Sequence, residues 1–222
     1  MNKFSSAFKN CLLFSGIRET DLEKMLNCLS ARQKHFKKNS FIFIAEDKAD
    51  SVGIVLTGAV HVLREDYWGK RKIVTLIKPG GLFGEAFACA GTEKLPISVM
   101  AAEESEILFL DVKRIIKTCS SSCIFHTNLI KNLTLLLAKK NVALIQKLEI
   151  ITQPTTREKL MSYLSEQARL CGNSDFSIPF NREELADYLS VERSAMSAEL
   201  SKMQKDGLVS FNKNHFALQR ND

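Results

Sequence analysis

Between Cys123 and roughly Ile150 the chain carries a helical pattern too long for a small globular domain to cover alone. Ile130, Leu137, Leu144 and Ile151 recur at intervals of seven, and Leu133 and Leu148 fall near the same stripe. Lys131, Lys139, Lys140 and Gln146 occupy other faces. A helix of about 28 residues rising 1.5 Å per residue spans ~40 Å. The spacing predicts that the stripe buries itself against a second copy of the same helix, in a parallel homodimer. Its interface would hold Ile130, Leu133, Leu137, Leu144, Leu148 and Ile151. The competing reading of this stripe is a helix packed only on its own domain.

Upstream of that helix the texture is different. Residues 19–29 place Leu22, Met25, Leu26 and Leu29 at helical spacing behind an acidic first turn. From about residue 33 to 110 short segments rich in Val, Ile and Phe alternate with turn residues: FIFI, VGIVLTGAVHVL, KIVTLIKPGG, PISVMAA and EILFL. Gly53, Gly58, Gly69, Gly80, Gly81 and Gly84 stand at or near the breaks. The pattern predicts a small antiparallel barrel or sandwich. The basic patches Lys34-Lys37-Lys38 and Lys70-Arg71-Lys72 read as solvated loop charges.

Downstream, Gln153-Pro154 interrupts the helical pattern, because Pro disfavours the α conformation in the residue before it. A helix over 155–171 follows, then a loop with a short strand. Asn181 caps a further helix that buries Leu185, Ala186 and Leu189. The turn Ser190-Val191-Glu192 leads into another, with Ala195, Met196, Leu200 and Met203 on its apolar face and Gly207 at its C-cap. Small Ala186 where two helices approach, a three-residue turn, and the two strands LVSF and HFAL joined by Asn212-Lys213-Asn214 predict a winged helix-turn-helix. The fold class is therefore α+β. A barrel covers 1–122, a dimerisation helix and hinge 123–152, and a DNA-binding domain 153–222.

Composition sets the outer limits. At 45% hydrophobic and 25% charged residues the chain can build a core, so it is not intrinsically disordered. No apolar run of about 18 residues and no apolar signal core stand in it, from which a cytoplasmic protein is expected. Six cysteines, Cys11, Cys28, Cys89, Cys119, Cys123 and Cys171, lie without repeating spacing and suit reduced thiols better than a disulfide framework. The net charge is +6, yet Thr155 to Asp222 carries nine Lys and Arg against ten Asp and Glu. The basic excess therefore lies outside the segment expected to bind DNA.

With these elements in order, the chain resembles the cyclic-AMP receptor protein and fumarate-nitrate regulator (Crp/Fnr) family of bacterial transcription factors along nearly its whole length. IVLTGAVHVL resembles the family's barrel core, KPGGLFGEAF its nucleotide-binding cassette, ESEILFLD its last barrel strand, and TTREKLMSYL the opening of its C-terminal domain. The Gly84-Glu85 pair and VERSAMSAELSKMQKDGLV are the most specific pieces. The resemblance implies a homodimer that senses a small effector in its jelly-roll barrel. Such a dimer reads a two-fold symmetric site on double-stranded DNA, with RNA polymerase as a further partner. It is not an enzyme. It places effector contacts at Gly84, Glu85, Ile97 and Ser98. DNA contacts fall at Arg193, Ser194 and Ser197 on base edges, Ala198 against a thymine methyl, and Asn181, Arg182 and Lys202 on phosphates. Glu192 would accept from a cytosine amino group or favour the positive helix end.

Several residues depart from the family pattern. Cyclic-nucleotide binders carry Arg-Ser where this chain has Pro96-Ile97, and neither residue holds an anion. The Thr-Ser pair that meets adenine falls at Val142-Ala143. Cyclic AMP is thus not expected as the effector. The four closely spaced thiolates of an iron-sulfur site are missing, since only Cys11 and Cys28 lie near the N-terminus. Cys119 and Cys123, one helical turn apart, suit a redox pair or a soft metal if they are not simply buried thiols. His61, on an alternating strand, would hold haem iron only if it pointed inward. The competing functions are a constitutive DNA binder with a purely structural barrel, and a cupin-like enzyme with an appended module. The latter would need a cluster of His and carboxylate ligands beyond His35 and His61.

Overall fold

The computed structural model describes residues 5–69, 71–116 and 124–219. Two compact units divide between Lys139 and Lys140. The division falls inside one continuous helix, α5 (Ile124–Ile151), and not at its start.

The first unit opens with α1 (Ser5–Asn10), a 3-10 turn (Leu12–Phe14) and α2 (Glu19–Cys28). Eight strands follow: β1 (Arg32–Phe36), β2 (Phe41–Phe43), β3 (Ser51–Thr57), β4 (Val60–Glu65), β5 (Arg71–Ile77), β6 (Leu82–Phe83), β7 (Ser98–Ala101) and β8 (Ser105–Asp111). Helix α3 (Glu85–Ala90) interrupts them, and α4 (Val112–Ile116) closes them. The strands form two four-stranded antiparallel sheets, β1-β8-β3-β6 and β2-β7-β4-β5, the flattened barrel of a jelly roll.

Which face each residue serves follows from the period of two along a strand. On β3, Val52, Ile54 and Leu56 point outward and join Leu108, Leu110, Met25, Leu29 and Ile115 in a core beneath the helices. Val55 points the other way and meets Val60, Val62, Phe83, Val99 and Ile107 between the sheets. Burial on both faces explains why β3 shows no polar alternation in its sequence. Gly53 stands opposite Phe83 in the ladder, and a Cβ there would lie 2.1 Å from the Phe83 ring. A side chain at 53 would therefore displace the ring.

Two expectations change. Lys34 stands on β1 rather than in a loop, and Arg71 and Lys72 open β5; Lys70 lies outside the described residues. On α5, Leu133 is only 5% exposed and packs with Leu129 and Leu136 into its own unit's core. The spacing i, i+4, i+7 serves that core, so Leu133 does not stand on a face open to a partner. Ile130, Leu137 and Ile151 are half-buried, whereas Leu144 and Leu148 are exposed.

The second unit holds α6 (Thr156–Cys171), β9 (Asp175–Ser177), α7 (Arg182–Leu189), α8 (Arg193–Lys205), β10 (Val209–Asn212) and β11 (His215–Leu218). The strands make one sheet in the order β10-β11-β9. Thr155 caps α6 in a reciprocal capping box with Glu158. Leu160, Tyr163 and Leu164 of α6 pack with Leu185, Leu189, Met196, Leu200, Met203 and Phe216 in a separate core.

Candidate nucleic-acid interface

Helix α7 begins where the Asn181 side chain accepts from the Glu183 and Glu184 amides at 2.9 and 3.0 Å, while Glu184 accepts from the Asn181 amide at 2.8 Å. Three backbone donors that a helix start would leave open are satisfied in this box. The helix ends at Ser190, whose left-handed backbone (φ +54°) turns the chain sharply. The Val191 amide then donates to Ala186 at 3.0 Å. Ala186 is buried at this crossing, where a larger side chain would hold the two helices apart.

Glu192 caps α8. Its carboxylate accepts from the Ala195 amide at 2.7 Å and from the Ser194 hydroxyl. The Ser194 hydroxyl, then the Ser194 and Ala195 amides, hold the Glu192 carboxyl down to about 2, so it stays charged at neutral pH. Of the two roles open to Glu192 in the sequence, the geometry shows the cap. Gly207 follows α8 with φ +71°, one residue beyond the C-cap, Asp206.

The inner face of α8 presents Met196, Leu200 and Met203 to the core, all fully buried. Arg193, Ser194, Ala198 and Lys202 are exposed on the outer side, and Ser197 is half-buried with its hydroxyl donating to the Arg193 carbonyl at 2.9 Å. Lys202 lies 3.9 Å from Glu199. Ser201 and Lys205 extend the exposed face. Their spacing of seven and eleven from Ser194 puts them on the same face of the helix. Arg157, near the start of α6, fixes the helix from its flank: it donates to Glu199 at 2.6 Å and to Asp206 at 2.5 Å.

Arg182 sits differently from a phosphate-reaching side chain. Its guanidinium lies 4.6 Å from the Phe211 ring and 5.1 Å from the Phe216 ring, both on the wing strands. Burial against these rings lowers its pKa. Asn181 likewise spends its side-chain oxygen on the cap.

In the first unit, Gly84 has φ +79° and ends β6 directly before α3. A Cβ there would come within 3.1 Å of the Phe43 ring and 3.2 Å of the Ser51 carbonyl. Glu85 is 4% exposed. Ile97 packs against the cluster between the sheets, and the Ser98 hydroxyl oxygen accepts from the Ala45 amide at 2.9 Å. The Gly84-Glu85 pair therefore follows one sheet while Ser98 stands in the other.

His61 is flanked on β4 by Val60 and Val62, which fill the interior, so it lies on the outer face and not inward toward a haem. Cys11 is buried, Cys28 and Cys171 are exposed, and Cys119 and Cys123 lie outside the described residues. Among the described residues no three His, Cys, Asp or Glu side chains gather as metal ligands. Among them, too, no helix is long and apolar enough to cross a membrane.

A capped helix held side-outward on a packed three-helix core, with a two-stranded wing beside it, defines a helix-turn-helix DNA-binding protein, here carrying a jelly-roll domain. Comparison with known proteins agrees. Residues 33–122 match the cyclic nucleotide-binding domain, and residues 158–220 match the Crp-like helix-turn-helix domain. The chain is 23% identical over 191 residues to the transcriptional activator FnrL of Cereibacter sphaeroides, covering 79% of this chain and 71% of that protein. It is also 23% identical over 185 residues to the nitrogen fixation regulation protein FixK of Azorhizobium caulinodans, covering 79% and 70%. The fold is that of the c-di-GMP responsive regulator CLP of Xanthomonas campestris, with a TM-score of 0.58 at 15% identity over 92% of this chain and all of that one. The chain belongs to the Crp/Fnr family of DNA-binding transcriptional regulators. Its relatives regulate transcription and are not enzymes.

Proposed function

We propose that this regulator works as a homodimer, in which an effector held by the 1–122 domain biases how two recognition helices α8 meet a two-fold symmetric DNA site. Residues 123–152 supply the dimerisation helix and hinge, and 153–222 bind DNA. The observation that carries the reading is the apolar surface of α5 left open to water, where Leu135, Val142, Leu144, Ile145 and Leu148 are 47–60% exposed. Five large apolar side chains open to water on one helix are the mark of a surface meant to be covered. Leu144 and Leu148 share a stripe with Ile130, Leu137 and Ile151, and that stripe is the partner-facing side; Leu133 leaves the set.

On α8, Arg193 reads a base edge as a bidentate donor, Ser194 and Ser197 read by hydroxyl, and Ala198 touches a thymine methyl. Lys202, joined by Ser201 and Lys205, follows the phosphate backbone. Cyclic AMP is not the effector of this reading. Ile97 belongs to an apolar cluster, Ser98 is engaged with Ala45, and Val142 and Ala143 offer no hydrogen-bonding group. Gly84 and Glu85 remain as effector contacts of another chemistry. The cytoplasm and RNA polymerase follow as its setting and partner from the action on transcription.

Sedimentation velocity tests the dimer. Wild type should sediment as a dimer and Leu144→Asp as a folded monomer, because Leu144 is 60% exposed in the protomer and its substitution leaves the protomer's own core intact. A wild-type monomer at micromolar concentration would refute it. For DNA, Arg193→Ala should weaken specific binding far more than nonspecific binding; equal loss on both would move Arg193 to the backbone. Footprinting with and without effector separates this regulator from a constitutive binder.

A further inference from the structure

One end of the jelly roll carries a basic cleft that borders Gly84 through Phe43 and Ser51 but is lined by other residues than the cassette's. On β1, Arg32, Lys34 and Phe36 stand opposite Phe109, Ile107 and Ser105 of β8, which puts them on the side that faces the space between the sheets. With Ile42, Phe43 and Ser51 they line a cleft of about 220 Å³. Its floor is aromatic: Phe109 packs 6.1 Å from Phe36 and 5.7 Å from Phe43, centroid to centroid. Lys34 Nζ stands 6.0 Å from the Phe109 ring.

The charges around the cleft are unbalanced in an instructive way. The alternate residues of β1 face away from it and find partners, Gln33 donating to Glu106 at 3.5 Å and His35 pairing with Glu104 at 3.1 Å. Asp50, next to Ser51, accepts the Ser51 hydroxyl at 2.9 Å and pairs with Lys48 at 3.6 Å. Among the described residues neither Arg32 nor Lys34 has a carboxylate partner. Two cations and three aromatic rings thus line one cleft while the neighbouring carboxylates are engaged elsewhere. None of Gly84, Glu85, Ile97 or Ser98 lines this cleft.

We propose that the cleft binds a small amphipathic anion, a carboxylate on a compact apolar or aromatic body. Arg32 takes the carboxylate as a planar fork, Lys34 adds a point charge, and the body rests on Phe36, Phe43 and Phe109. The volume lies below the roughly 300–1,000 Å³ of drug-sized pockets, which limits the ligand to a single ring or a short chain. The inference does not depend on the dimer.

Phenylacetate and its uncharged isostere phenylacetamide are the probes, titrated into the full chain by calorimetry. Phenylacetate should bind saturably with one site per chain, and the amide at least ten-fold more weakly. The double variant Arg32→Gln, Lys34→Gln should lose at least ten-fold in affinity with its melting curve unchanged, as both side chains are exposed. Lys34→Gln alone should fall between. No saturable binding at millimolar phenylacetate overturns the proposal, as does equal affinity for acid and amide or undiminished binding by the double variant.

Discussion

Arg157 of α6 holds the recognition helix by two carboxylates at once, Glu199 in its middle and Asp206 at its end. These two hydrogen bonds raise the Arg157 pKa further, the Glu199 contribution being the larger. The contact fixes both the rotation of α8 and its axial position, because the planar guanidinium must meet two oxygens seven residues apart. Arg157→Lys keeps the charge and loses the fork. It should lower the melting temperature modestly and weaken specific DNA binding, whereas nonspecific affinity changes little. Thermal melts together with binding to specific and random duplexes read the difference; an unchanged specific affinity would make the clamp incidental.

Arg182→Ala should destabilise the DNA-binding unit by about 1 to 2 kcal/mol, since the side chain covers Phe211 and Phe216 as well as charging their faces. If Arg182 serves the wing and not a phosphate, the slope of log affinity against log salt concentration stays that of wild type. A slope smaller by about one would place it on the DNA backbone.

Gly53→Ala should cost about 1 to 3 kcal/mol by overpacking, because the new methyl falls within the Phe83 ring. Phe83→Leu made in the same chain should recover part of that loss, which chemical denaturation of the two singles and the double will show. Strictly additive losses would mean that the two residues do not meet.

The Cys11 thiol is pushed up from 9.0 to about 11, chiefly by burial, against the pull of the Leu13 and Phe14 amides. The folded chain holds this proton more tightly than the unfolded chain. The stability it contributes is therefore whole below about pH 9 and declines as pH rises from there toward 11. Alkylation at pH 8 followed by peptide mass mapping should label Cys28 and Cys171 well before Cys11.

How far each part could be read beforehand depends on how local its cause is. The helix-turn-helix was legible because its parts act within a few residues: Asn181 reaches two amides just ahead of it, and Ser190 to Glu192 make the turn by themselves. Strand β1 was not legible, for RQKHF has polar groups on both faces and its neighbour β8 lies some seventy residues on. The heptad stripe of α5 was legible as a helix but ambiguous as a seam. Leu133 meets a partner from its own unit, and a spacing of seven cannot say which surface covers it. Arg182 looked free because the rings that hold it come 29 and 34 residues later in the chain.

The cap at Glu192 has a consequence for what the protein refuses. A fixed negative charge at the leading end of the proposed reading helix repels phosphate oxygens and the acceptor-rich edge of guanine alike, and Ser194, whose hydroxyl donates to Glu192, offers only lone pairs beside it. Any groove lacking an amino group at that spot is met by like polarity, a penalty no neighbouring lysine can spread evenly over all sequences. On the proposed reading of DNA by α8, selectivity works by exclusion, by making the wrong duplex worse rather than the right one better.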